Sequence, residues 1–272
     1  MKKKLIAGVL LLFLSAFAVA AEAEVLRDIV YGHKDGMGLL MDVYRPDENA
    51  NGAGVAYVVS ASFNSTRRLQ QAVEDNFTKY LDAGFTVFAV RHGSVPRYTI
   101  PDAYRDVTQA MEFIGANAQD FGVDARRVGI FGGSAGGLLA LLVGLADTTL
   151  DGEDRLFRPA AVVAFFAGSR VPRDYPPARN RSPATDFDPA LDAAVSPVNH
   201  VSANDPPVLL VHGDADERVP IGESELMHEA LKNAGVVTEF VVIKDGPHGG
   251  FSGEGKQIAD SALLAWFEKY LD

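Results

Sequence analysis

The 272-residue chain reads as an α/β fold: a doubly wound, mostly parallel sheet with an antiparallel N-terminal edge and helices on both faces. Three observations predict it. Apolar runs at residues 55–59, 86–90, 128–131, 160–166, 207–211 and 239–243 alternate with stretches of helical periodicity, the pattern of strand, crossover helix and parallel strand. Most of these runs are apolar almost throughout, as strands buried on both faces require. Two further β-prone runs, 26–31 and 39–44, precede them and flank His33-Lys34-Asp35-Gly36, and an Asp-Gly pair between such runs signals a hairpin.

The elements between the strands follow in order. A helical segment is expected near residues 69–81, with Gly84 as its stop. Residues 101–118 place Val107, Ala110, Met111 and Ile114 at helical spacing, a stripe that packs on a sheet. An apolar helix follows the 128–131 strand, an amphipathic one is expected over 223–233, and Leu263, Trp266, Phe267 and Tyr270 give the last helix its inward face. Between residues 167 and 205 the alternation stops, and that stretch carries six prolines. It reads as a lid-like insertion folded over the site, with Tyr175, Phe187, Leu191 and Val198 as its anchors.

The first 20 residues stand apart from this domain of residues 21–272. Met1-Lys2-Lys3-Lys4 is a basic start, residues 5–18 are apolar, and Ala18-Val19-Ala20 is a small-x-small site, together the pattern of a cleaved secretory signal peptide. The apolar run falls short of the roughly 20 residues that span a bilayer, so export to the periplasm or beyond is expected, with no stable membrane anchor after cleavage. Cleavage removes three lysines and no acid, taking the formal charge from -11 to -14. Such a surface repels nucleic acid. With no cysteine in the chain, a thiol nucleophile and a cysteine-ligated metal are excluded, and no His and carboxylate spacing suggests another metal site or a cofactor.

The chemistry centres on Gly132-Gly133-Ser134-Ala135-Gly136-Gly137, set between an apolar strand and an apolar helix. A Gly-x-Ser-x-Gly corner between strand and helix is a nucleophile elbow: the serine is strained and exposed at the strand's carboxyl end, and its small neighbours let strand and helix pass closely. The simpler reading makes Ser134 a helix cap. A serine hydroxyl needs a base, and the base an orienting group. Asp214 and Asp216 follow the 207–211 run and His248 follows the 239–243 run. Ser, Asp, His, each just past a strand, is one of the known triad orders.

These residues carry a resemblance. Gly132-Gly133-Ser134-Ala135-Gly136-Gly137, His212-Gly213-x-x-Asp216-x-x-Val219-Pro220 and His248-Gly249-Gly250-Phe251 together resemble the α/β-hydrolase superfamily, in its bacterial esterase and lipase branch related to hormone-sensitive lipase and the acetyl esterases, over about residues 50–272. The resemblance implies Ser134 as nucleophile, His248 as base and Asp216 as orienter, with Asp214 left to bond its loop. His212 is expected to fix loop geometry, and His33, His92, His200 and His228 to be surface or packing residues. Such esterases usually follow the 55–59 strand with His-Gly-Gly-Gly, whose N–H groups hold the oxyanion. Here Ser60-Ala61-Ser62-Phe63 stands in that place, which makes Ala135, with Ala61 or Ser62, the expected donors.

The implied function is a secreted serine carboxylesterase acting on small acyl esters, acetyl groups on carbohydrate among them. Two alternatives stand beside it. One is a serine peptidase of the prolyl oligopeptidase type, which shares the catalytic fold but usually carries a propeller for which this chain has no room. The other is a non-catalytic binding protein on a hydrolase scaffold, in which the altered 60–63 loop has ended turnover.

Overall fold

The computed structural model describes residues 24–47, 49–173 and 182–272; the signal segment and Tyr175 lie outside them. Strands β1 (Glu24–Lys34) and β2 (Met37–Arg45) pair antiparallel. The turn falls on Asp35 and Gly36, with φ of 49° and 79°, the left-handed pair that a tight hairpin needs. Next come β3 (Gly54–Val59), a short helix α1 (Arg67–Gln71), a 3₁₀ turn at Glu74–Phe77, a short helix α2 (Thr78–Asp82) and β4 (Thr86–Arg91). The single helix expected over 69–81 is thus broken. Gln70 and Glu74 are drawn to the Tyr44 hydroxyl at 2.8 and 2.5 Å, while Phe77 and Tyr80 pack edge-on against Tyr57 and tilted on Phe131. Anchors on two different parts of the sheet override local helix propensity.

Helix α3 (Ile100–Ala116), strand β5 (Val128–Gly133), helix α4 (Ala135–Leu145) and strand β6 (Ala161–Phe165) come next. They are followed by β7 (Val208–Gly213), α5 (Gly222–Asn233), β8 (Thr238–Ile243) and α6 (Gly253–Tyr270). The eight strands form one sheet in the order β1-β2-β4-β3-β5-β6-β7-β8. From β4 to β8 every pairing is parallel. Val58, Ile130 and Leu210 face α3, α4 and α5, whereas Val59, Phe131 and Val211 face α2 and α6. Apolar side chains on both faces explain the unbroken hydrophobic runs.

The N-terminal edge is pinned to the parallel sheet by a buried carboxylate. Asp42 of β2 accepts from Arg27 of β1 at 2.9 Å, Gln70 of α1 at 2.7 Å and Arg91 of β4 at 3.2 Å. It also takes the Asp28 N–H, at a bulge where φ reaches 56°. Burial pushes the Asp42 carboxyl up, but these donors outweigh it and hold the group at about 2. A carboxylate so paired is not a free site.

Within the 167–205 insertion, the described residues form 3₁₀ turns at Pro183–Thr185, Pro189–Leu191 and Pro197–His200. A proline opens each, where its fixed φ suits a helical first turn. Phe187 and Val198 pack on the core, and Ala184 and Val195 are fully buried in it. No described helix is long and apolar enough to cross a membrane.

Helix α4 carries the fold's central packing. Leu139 is fully buried on it, so Leu139→Ala is expected to lower the unfolding free energy by about 2–5 kcal/mol. In urea this reads as a lower midpoint with an unchanged slope.

Candidate active site

Strand order reverses direction between β3 and β5, because the chain leaves β3 toward β4 and leaves β5 toward β6. Clefts at the carboxyl ends of such strands are where open α/β sheets place ligands. Ser134 stands there, between β5 and α4. Its φ of 53° and ψ of -118° lie in a region that a non-glycine residue enters only when the surroundings hold it. The hold is visible. Its N–H donates to Phe165 O at 2.9 Å, and its carbonyl accepts from Leu138 at 3.0 Å. A side chain on Gly136 would meet Val58 O at 2.6 Å, so only glycine lets α4 pass this close to β3. Ser134 occupies the N-cap position, but its hydroxyl caps nothing.

That hydroxyl turns instead to His248. Ser134 Oγ lies 3.0 Å from His248 Nε2, and His248 Nδ1 lies 2.8 Å from Asp216 Oδ2. A carboxylate only accepts, so Nδ1 carries the proton and Nε2 is the acceptor for the serine proton. Three side chains from the loops after β5, β7 and β8 thereby form one hydrogen-bonded chain. Asp214 is not part of it: its carboxylate accepts the Asp245 N–H at 2.5 Å and ties the β7 loop to the β8 loop.

The Asp216 carboxylate is fully buried and takes four hydrogen bonds. Oδ1 accepts the N–H groups of Arg218 and Val219 at 2.8 and 2.9 Å. Oδ2 accepts from His248 and, at 3.1 Å, from His212 Nε2. Burial pushes Asp216 up, but the Val219 amide, His248 and the Arg218 amide outweigh it, and the carboxyl ends below its ordinary value. It is ionised at neutral pH.

His212 does more than shape a loop. Its Nε2 faces two acceptors, Asp216 Oδ2 and Val219 O at 3.0 Å, so Nε2 bears the proton, and Nδ1 accepts from Ser224 Oγ at 2.7 Å. Burial lowers its pKa, which keeps it a neutral donor. The His212-Gly213-x-x-Asp216 spacing hinted at this contact. His92 was expected at the surface or in packing, and it is buried. It is the hydrogen-bond partner of Ser60 Oγ at 2.9 Å and of Gly93 O at 2.7 Å. Its pKa is pushed down to about 4 by burial. His33 is exposed, and His200 and His228 make contacts with Ala194 O and Thr238 Oγ1 away from the triad.

The 60–63 loop corrects one expectation. Ala61 N–H donates to Asn64 O and Asn64 N–H to Ala61 O, both at 2.9 Å, across a tight turn in which Ser62 and Phe63 have φ of 49° and 60°. The Ala61 amide is therefore committed and does not serve as an oxyanion donor. Ser62 N–H has no partner among the described residues. Ala135 N–H, at the first position of α4, has no acceptor within the helix. The helix dipole also favours negative charge there. Ser65, Ser94 and His92 stitch the loop to the end of β4 through bonds of 2.8 and 3.0 Å. Among the described residues, no group of three His, Asp or Glu side chains is placed to hold a metal ion.

Comparison with known proteins follows the same lines. The family model described as BD-FAE matches residues 41–231. Esterase LipQ of Mycobacterium tuberculosis is 28% identical over 230 residues, covering 78% of this chain and 53% of LipQ. Ethyl acetate hydrolase of Pseudomonas putida is 25% identical over 254 residues, covering 84% of this chain and 76% of its own. The chain spans about half the length of the first of these curated relatives. The structure of esterase 2 from Thermogutta terrifontis with butyrate bound superposes with a TM-score of 0.72 at 26% identity, over 92% of this chain and 93% of that one. A truncated carbohydrate esterase from gut microbiota gives 0.76 at 21% identity over 92% and 97%, a likeness of fold.

The buried His92 has a measurable consequence. In the unfolded chain it takes up a proton near 6.5, and in the folded chain near 4. Its share of stability is therefore complete above 6.5 and is lost as the pH falls toward 4, by roughly 3 kcal/mol in all. Urea unfolding of the unaltered protein and of His92→Gln should converge in stability as the pH is lowered from 7 to 4.5; parallel curves would count against a neutral, buried His92.

Proposed function

We propose that this chain, which belongs to the BD-FAE family and has the α/β-hydrolase fold, is a serine carboxylesterase acting on small acyl esters. The observation that carries the reading is the unbroken Ser134, His248 and Asp216 chain at 3.0 and 2.8 Å. In this reading Ser134 Oγ attacks the ester carbonyl while His248 Nε2 takes its proton. The carbonyl oxygen becomes an oxyanion and receives the Ala135 N–H at the start of α4 and the Ser62 N–H from the loop after β3. Asp216 stabilises the imidazolium that forms. His248 returns the proton to the departing alcohol, and water, activated by the same imidazole, then releases the acid.

The esterase relatives support ester over peptide chemistry. The hydrolase of ethyl acetate and the butyrate-bound neighbour favour a short acyl group. Acetyl groups on carbohydrate are the substrate class we favour within that range, in line with the bifunctional GH43-CE protein of Bacteroides eggerthii, whose structure is 28% identical to this chain over 90% of this chain's length. Export belongs to the same reading. Its support is the basic, apolar and small-residue pattern of residues 1–20.

Nitrophenyl acetate tests the assignment. The purified chain should release nitrophenol, Ser134→Ala should lower kcat by at least about 10³-fold, and full activity in that variant would sink the proposal. His212→Leu removes a donor to a charged oxygen, worth about 1.5–3 kcal/mol, so kcat/KM should fall by roughly ten- to a hundredfold, most of it in kcat. Export predicts that protein recovered outside the cytoplasm begins at Ala21, read by N-terminal sequencing.

A further inference from the structure

A cavity of about 220 Å³ opens on the α2 and α6 face of the sheet, beneath the glycines that lead into Ser134. Tyr57, Phe131 and Phe165 line it from β3, β5 and β6, and Phe166 and Phe251 from the loops above. Phe166 is the partition between this cavity and the triad. Its ring packs edge-on to His248 with 5.1 Å between centroids, and edge-on to Phe251 at 5.6 Å. It lies so close over Gly133 that a side chain there would meet the ring at 2.8 Å. Its own φ of 38° is fixed by an N–H bond to Val211 O at 2.7 Å.

The polar groups of the cavity are unusual in one respect. Buried tyrosines elsewhere spend their hydroxyls: Tyr31 on Arg91 O, Tyr44 on Glu74 and Tyr104 on Thr148 O. Tyr57 and Tyr80 line the cavity, and neither hydroxyl has a hydrogen-bond partner among the described residues; Tyr57 is half-buried, and neither oxygen is sealed from solvent. Burial pushes both phenols above their ordinary value, so both stay protonated and can donate. Nearby, Lys79 and Lys256 both bond the Asp260 carboxylate, two ammonium groups on one acid in a chain of formal charge -11. Lys79 also lies 4.9 Å from the centre of the Tyr80 ring. One end of the cavity is thus aromatic, and the other offers donors and an excess positive charge.

We propose that this cavity is a second ligand site, separate from Ser134, that takes a small aromatic carboxylate, with its ring among Phe131, Phe165 and Phe166 and its carboxylate on the Tyr57 and Tyr80 hydroxyls. A flat ring matches walls that offer aromatic edges and faces. An anionic acceptor gives these two hydroxyls, which no protein group takes, a charge-assisted hydrogen-bond partner in place of water. The site stands independently of the esterase reading, since none of Ser134, His248 and Asp216 lines the cavity and Ser134 meets Phe165 only through the backbone. Because Phe166 contacts His248, an occupant of the cavity borders the catalytic histidine without being the reacting ester.

Calorimetric titration of the full chain with sodium benzoate tests this. Saturable one-site binding is expected. Benzyl alcohol, which keeps the ring and lacks the charge, should bind at least about tenfold more weakly. The Tyr57→Phe and Tyr80→Phe pair, checked for folding by its thermal midpoint, should lose at least about tenfold in benzoate affinity, the usual effect of removing hydrogen bonds to a charged acceptor. Lys256→Met, at the exposed rim, should weaken binding in a chain whose core is untouched. Ser134→Ala should bind benzoate like the unaltered protein, and this arm separates the site from the esterase centre. No saturable binding, equal affinity for benzyl alcohol, unchanged affinity in the tyrosine or lysine variants, or loss of binding in Ser134→Ala would each overturn the proposal.

Discussion

The arrangement at the head of the sheet depends on one buried carboxylate. The Asp216 side chain has no exposure to solvent, yet it remains charged because two backbone N–H groups and two imidazoles converge on its oxygens. Burying a carboxylate without such partners is strongly unfavourable. The four donors come from a single loop, from the end of β7 and from the loop after β8, so satisfying the charge fixes where those segments lie. Once Asp216 is fixed, His248 Nδ1 has one place to donate, and the ring then presents Nε2 to Ser134. The serine itself is set by an unrelated constraint, the close passage of α4 beneath β3 that only Gly136 allows.

The sequence made the sheet legible because its strands are buried on both faces, which leaves runs such as residues 55–59 and 208–211 with little polar content. It made the elbow legible because a left-handed serine beside a tightly packed helix requires small residues at fixed offsets. Ser134, Asp216 and His248 were singled out from loops far apart in the chain, and the fold brings their side chains within hydrogen-bonding distance. Asp214, weighed as the rival carboxylate, binds the neighbouring loop, as its position in a turn-rich stretch suggested.

What the sequence concealed has a common cause: partners distant along the chain. The helix expected over residues 69–81 breaks because Gln70 and Glu74 answer to Tyr44, and periodicity carries no record of that attachment. The Ala61 amide looked available until the 61–64 turn consumed it, an outcome set by backbone dihedrals at Ser62 and Phe63 that no side-chain pattern announces. His92 is expected at the surface or in packing and His212 to fix its loop, and neither pattern shows their bonds to Ser60 and Asp216, because a histidine's role depends on which acceptors face its two nitrogens. Phe166 reads in sequence as the end of the 160–166 strand, whereas β6 ends at Phe165 and Phe166 turns out of it with a φ of 38°. Its place between Gly133, His248 and Phe251 follows from three chain segments meeting.

The central claim is that Ser134 is a nucleophile made reactive by His248 and Asp216. Intact-mass and peptide-mass measurement after brief exposure to a fluorophosphonate tests it without presupposing any ester substrate. The account predicts a single adduct on the peptide containing Ser134, formed at least about a thousandfold more slowly in His248→Ala. An adduct on a different residue, or an unchanged labelling rate when His248 is replaced, would contradict it.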